Sequence, residues 1–100
     1  MLDDDKIVSI ATDVATANLS HAHVTSVSSE PTIDSEGHDA LRITIVLAPD
    51  SATSLSGDKV LDTLLQIRRN LQTAGESRFP IVEFATEAEL ADAERGDSQS

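Results

Sequence analysis

Two histidines separated by one residue, His21 and His23, come nearest to a metal site in type and spacing. In an extended strand, residues i and i+2 point to the same side, so both imidazoles can reach one Zn²⁺ or Ni²⁺ ion. The third histidine, His38, is expected at the opposite end of a hairpin and cannot complete the ligand set. His21 and His23 are therefore weak candidates, and we predict neither a metal nor a cofactor.

The other residue types form no recognisable catalytic pattern. The sequence has no cysteine, which excludes a disulfide, a thiolate zinc site and a cysteine nucleophile. Its serines lie outside any nucleophile-elbow motif. The acidic segment 34–39 lacks the twelve-residue ligand spacing of an EF-hand, and it predicts a solvated turn instead. We therefore expect no catalytic residue and a protein that is not an enzyme.

The charge balance limits the kinds of partner. Eighteen acidic residues stand against seven basic ones, which gives a net charge of −11. Nucleic acids and anionic lipids are bound by clustered Lys and Arg, so this composition predicts neither as a partner. Residues 1–5 carry three aspartates where a secretion signal is basic, and no apolar run approaches the roughly 18–20 residues of a membrane span. We expect a cytoplasmic protein without membrane contact.

Segment 40–49 is the stretch around which the other elements are expected to assemble. Its residues alternate with period two, as in a strand with two different faces. The aliphatic face consists of Leu41, Ile43, Ile45 and Leu47. The opposite face consists of Arg42, Thr44 and Val46. This pattern predicts a central strand whose aliphatic face is covered by helices.

The residues before this strand predict a helix and a hairpin. Helical spacing of apolar residues over 4–19, behind three aspartates that can cap it, predicts the first helix. Segment 21–33 predicts an edge strand, joined to the central strand by a turn over 34–39. Burying Val27 and Ile33 with the aliphatic face requires paired residue numbers that sum to an even number, near 72 or 74.

The residues after the central strand predict a helix, a strand and a short final helix. Ser56 is a suitable N-cap for a helix over 57–74. Its apolar stripe consists of Val60, Leu64, Ile67 and Leu71. Segment 79–85 predicts a third strand, parallel to the central one because a helix connects them. A capping box predicts a helix over 87–94, followed by a disordered tail over 96–100.

Together these elements predict one α+β domain over residues 1–95, with the order α-β-β-α-β. Two helices cover one face of a three-stranded mixed sheet. Over residues 4–85 this order resembles the KH-like folds, including small bacterial ribosome-assembly factors. KH modules bind RNA through Gly-x-x-Gly before a helix, but the helix here begins Ser-Gly-Asp-Lys at 56–59. The second glycine is missing and an acid is present, so the resemblance implies the topology without RNA binding.

The leading functional hypothesis is a non-enzymatic accessory domain that acts through a homodimer or a heterologous protein partner. The partner would meet the open sheet face, at Arg42, Thr44 and Val46, or an edge of the first or third strand. One alternative is an antitoxin-like regulatory subunit that neutralises a basic, nucleic-acid-acting protein by charge complementarity. Another is a weak metal- or small-ligand-binding module at His21 and His23.

Overall fold

The computed structural model describes residues 2–20, 23–49 and 56–87. The elements are α1 (Asp4–Leu19), β1 (Val24–Ile33), β2 (Asp39–Leu47), α2 (Gly57–Thr73) and β3 (Phe79–Thr86). The predicted α+β class and the order α-β-β-α-β are confirmed. Apart from Glu87, the predicted final helix lies outside the described residues, as does the predicted tail. The domain limits 1–95 stay a prediction.

The three strands form one sheet in the order β1-β2-β3, so β2 is the central strand as predicted. β1 pairs with β2 antiparallel, and β3 pairs with β2 parallel. The predicted register is also confirmed, because Val27 lies opposite Ile45 and Ser29 opposite Ile43, with numbers that sum to 72. A bulge near the start of β1 shifts Val24 by one position, opposite Leu47.

The helices begin where their capping residues predict. The Asp3 carboxylate accepts a hydrogen bond from the backbone N–H of Lys6 at 2.9 Å, and the Ser56 hydroxyl accepts one from Lys59 at 3.2 Å. Each bond satisfies an amide that has no partner within its helix. Gly75 follows the end of α2 with a φ of +102°, a left-handed conformation that glycine adopts at little cost.

The core lies on one face of the sheet. Leu41, Ile43 and Ile45 of β2 are fully buried. The helix residues that share their hydrophobic cluster are Ile7, Ala11, Val14, Ala15 and Leu19 of α1, and Ile67 and Leu71 of α2. Both helices therefore cover the same face, and they also pack against each other. The small side chains of Ala11 and Ala15, both fully buried, let α1 approach its neighbours closely.

The buried positions differ from the predicted ones in β1 and in α2. Ile33 points to the helix side of the sheet by its register, but it is 65% exposed. It lies opposite Asp39 at the hairpin end of the sheet, beyond Leu41, which is the residue of the β2 hydrophobic cluster nearest the hairpin. In α2, Val60 and Leu64 are only partly buried, and Thr63 is fully buried instead. The Thr63 hydroxyl donates to a carbonyl one turn earlier at 2.8 Å, which makes its burial tolerable.

In the described part of the chain, neither helix is long and apolar enough to cross a lipid bilayer.

We predict that Ile43→Ala lowers the free energy of unfolding by about 2–5 kcal/mol, because it leaves a cavity in the centre of the core. The matched control is Ile33→Ala, which removes the same atoms from an exposed position and should change stability by less than about 0.5 kcal/mol. Urea unfolding followed by circular dichroism measures both. Equal losses for the two variants would contradict this description of the core.

Candidate functional site

The face of the sheet opposite the core is the first candidate surface. No helix within the described residues covers it, since α1 and α2 both pack on the other side. Arg42, Thr44 and Val46 lie along its centre, as the alternation in β2 predicts. Their neighbours on this face are Ser26, Ser28 and Glu30 of β1, and Ile81, Glu83 and Ala85 of β3. We call this set of nine residues the uncovered sheet face.

Arg42 lies between two glutamates on the uncovered sheet face. One guanidinium nitrogen is 3.6 Å from a carboxylate oxygen of Glu30, directly opposite in β1. Another is 3.6 Å from a carboxylate oxygen of Glu83, which lies two residues beyond the β3 residue that is opposite Arg42. All three side chains are about half exposed or more, so these are solvated ion pairs of small net stabilisation. Arg42 can therefore exchange either carboxylate for one on a partner at little cost.

The two halves of this face differ in polarity. On the β1 side, Ser26 and Ser28 present exposed hydroxyls. On the β3 side, Ile81 and Ala85 present half-buried apolar groups. Of the three predicted partner-binding residues, Arg42 offers the most surface, Thr44 is partly buried and Val46 is 8% exposed. The surface suits a partner that combines hydrogen bonding on one side with apolar contact on the other.

The structure does not test the predicted pair of His21 and His23, because one of the two histidines is not among the described residues. His21 lies outside the described residues, and His23 lies in the turn that precedes β1. His38 is at the other end of the hairpin, 3.8 Å from a carboxylate oxygen of Asp34. Among residues 2–20, 23–49 and 56–87, no three His, Cys, Asp or Glu side chains are grouped to hold a metal ion.

The acidic turn has an internal structural explanation. One carboxylate oxygen of Asp34 accepts hydrogen bonds from the backbone N–H groups of Glu36 and His38, each at 2.9 Å. The bond from His38 is the main reason that the pKa of Asp34 is lowered. This carboxylate shapes the turn in the manner of an Asx motif.

A buried ion pair that sequence reasoning missed joins the loop before β3 to the start of the chain. Glu76 and Arg78 form two short contacts, at 2.9 and 3.0 Å, and their side chains are 0% and 9% exposed. The backbone of Leu2 closes the arrangement: its N–H donates to Glu76 at 2.9 Å and its carbonyl accepts from Arg78 at 3.1 Å. We call these three residues the terminal clamp.

The terminal clamp changes the acidity of its carboxylate. Hydrogen bonds from the Arg78 side chain are the main reason that the pKa of Glu76 falls from 4.5 to about 2. Burial acts in the opposite direction and is outweighed. The same hydrogen bonds raise the pKa of Arg78. Because the folded state holds the charged carboxylate better than the unfolded state does, the clamp stabilises the fold above pH 4.5 and loses this effect as the pH falls toward 2.

A cleft of about 240 Å³ lies beside the terminal clamp, between the end of α2 and the start of β3. The Arg68 guanidinium lies 4.6 Å from the centre of the Phe79 ring at its wall. The Nε atom of Arg68 is buried and has no hydrogen-bond partner in the described structure. The cleft is smaller than the roughly 300–1,000 Å³ of typical ligand pockets. It has room for one small anionic group, such as a carboxylate side chain.

The terminal clamp and the cleft beside it could hardly be predicted from the sequence. Glu76 and Arg78 are two residues apart in a polar loop, a spacing that surface residues also show. Their burial depends on Leu2, which lies 74 residues before Glu76. The one available indication was that a glutamate and an arginine directly follow the helix stop at Gly75 and precede a strand.

The observed element order agrees with the KH-like order, and that likeness is one of topology. A scan against protein-family models and searches of curated proteins and of solved structures found no match to this chain.

We predict that Glu76→Gln lowers the free energy of unfolding by about 2–3 kcal/mol at pH 7, because it leaves a buried arginine without its counter-charge. The difference from the unsubstituted protein should shrink as the pH falls from 4.5 toward 2, where the native glutamate also becomes neutral. Urea unfolding at a series of pH values measures this. Glu36→Gln, at the exposed hairpin turn, is the control. A pH-independent difference would rule out the proposed ionisation.

Proposed function

We propose that this chain is a non-enzymatic interaction domain that binds a protein partner, or a second copy of itself, through the uncovered sheet face. The observation that carries the proposal is the parallel pair β2–β3, which has helices on one face alone in the described structure. Sheets made only of parallel strands are almost always covered on both faces, whereas a mixed sheet such as this one can leave the second face of its parallel pair open to a partner. A partner that packs on Arg42, Thr44 and Ile81 would supply the missing layer.

The composition of the face supports a protein as the partner. Ile81 and Ala85 are half-buried apolar groups that gain by further burial. Arg42 and its two glutamates place a positive charge and negative charges side by side, so the face can pair with either sign of charge on a protein. The net charge of −11 disfavours a polyanionic ligand. A small domain also has a limited core, which binding of a second layer would extend.

Site-specific photocrosslinking in the native host tests this proposal. We predict that a photoreactive amino acid at position 44 gives an adduct of one discrete mass, because Thr44 lies at the centre of the face. The same probe at Glu36, on the exposed hairpin turn, is the matched control and should give no discrete adduct. A doubled mass identifies a second copy, and any other mass identifies a heterologous partner.

A charge reversal then assigns the adduct to this face. Arg42→Glu should abolish the crosslink from position 44, since it places three carboxylates side by side. Lys6→Glu makes the same change of charge on the exposed surface of α1 and should leave the crosslink intact. If position 44 gives no more product than position 36, or if both reversals act alike, the proposed binding face is wrong.

A further inference from the structure

We propose that the outer side of α2 pairs with the α2 of a second copy of this chain, antiparallel and about a two-fold axis near Leu65. The outer stripe of α2 is defined here as Asp58, Leu61, Asp62, Leu65, Arg69 and Gln72. These residues recur at steps of three and four, so they share one side of the helix. The sides of α2 that face the core and α1 carry other residues.

The centre of the outer stripe is apolar and exposed. Leu61 is 53% exposed and Leu65 is 46% exposed, one turn apart on the same side of α2. The core side of the same helix carries Thr63, Ile67 and Leu71, all buried. These two neighbouring leucines lie outside the hydrophobic cluster of the core, and their exposed halves form an apolar contact area of the kind that protein interfaces use.

The charges on the outer stripe change sign along the helix. Asp58 and Asp62 lie before or beside the leucines, and Arg69 follows them. These three side chains are exposed, and none forms an ion pair with another residue of the described chain. The acids therefore occupy one end of the stripe and the base the other.

This order of charges identifies the occupant. A partner that fits the stripe needs an apolar centre with a base facing Asp62 and an acid facing Arg69. The same helix in reverse direction has that order, and a two-fold axis across the helix places it in reverse. A uniformly basic or uniformly acidic partner would leave one end of the stripe facing like charge. Leu65 would contact its own copy, with Asp62 of each chain near Arg69 of the other.

The net charge of −11 on each copy does not prevent this contact at physiological salt. The Debye length is about 8 Å at 0.15 M salt, so charges farther apart are largely screened while contacting pairs still attract. The stripe also lies on the opposite side of the sheet from the uncovered sheet face. The two proposals are therefore independent, and each can fail without the other.

Sedimentation equilibrium of the full chain with paired charge reversals tests the contact. Asp62→Arg and Arg69→Asp each turn both attractions of the dimer into repulsions, so each variant alone should associate roughly tenfold or more weakly. Mixed in equal amounts, the two variants restore both attractions and should form a heterodimer at least as strong as the unsubstituted dimer. Asp13→Arg, an exposed acid on α1, is the control and should associate as the unsubstituted chain does.

The apolar part of the contact has its own test. Leu65→Glu should abolish association, whereas Ile33→Glu, at an exposed apolar residue of β1, should leave it unchanged. Circular dichroism melts of each variant test whether it is folded. The proposal is overturned if the unsubstituted chain stays monomeric up to about 1 mM, if Leu65→Glu associates normally, or if the mixed charge variants do not recover binding.

Discussion

The burial of one face of β2 is the constraint on which the rest of the structure depends. Leu41, Ile43 and Ile45 have no exposed surface, and they lie between two strands and beneath two helices. Because side chains alternate, a register shift of one residue would turn Arg42 toward the helices and the aliphatic row toward water. Which face of β2 points to the helices therefore determines where the other elements pack and which sheet face remains uncovered.

Most arginines among the described residues form contacts within the chain. Arg42 lies between two glutamates, Arg78 binds a buried glutamate, and Arg68 lies over an aromatic ring. Each therefore serves a local contact, and their charge does not add up to a basic surface. Arg69 is the exception among the described arginines, since no ion pair or ring contact holds it in the described structure. Arg69 therefore gives the outer stripe of α2 a basic side chain that can pair with an acid on a partner.

Much of the fold could be predicted because it depends on the spacing of apolar and polar residues that are close together in the sequence. The limits of α1 and the register of the hairpin follow from spacings of three to four and of two, within a few neighbouring residues. The burial of Thr63 and the exposure of Ile33 could not, because they depend on how one element sits against another. The uncovered sheet face was predictable from alternation within β2.

The terminal clamp and the depth of burial along α2 were less accessible to sequence reasoning. The clamp needs Leu2 beside Glu76, a contact between distant parts of the chain that no periodicity encodes. In α2, the spacing of the predicted apolar stripe already left out Leu61 and Leu65, but it did not indicate that Thr63 would be more deeply buried than Leu64. That difference is settled by the rotation of α2 against α1.

The terminal clamp also affects the rate at which the protein unfolds. Leu2 can meet Glu76 and Arg78 only when α1, the sheet and the crossover through α2 are already in place. We expect a contact of such long sequence separation to form after the rate-limiting step of folding, in which case its energy is expressed mainly in slower unfolding. We therefore expect the clamp to lengthen the lifetime of the native state while hardly changing how quickly that state is reached.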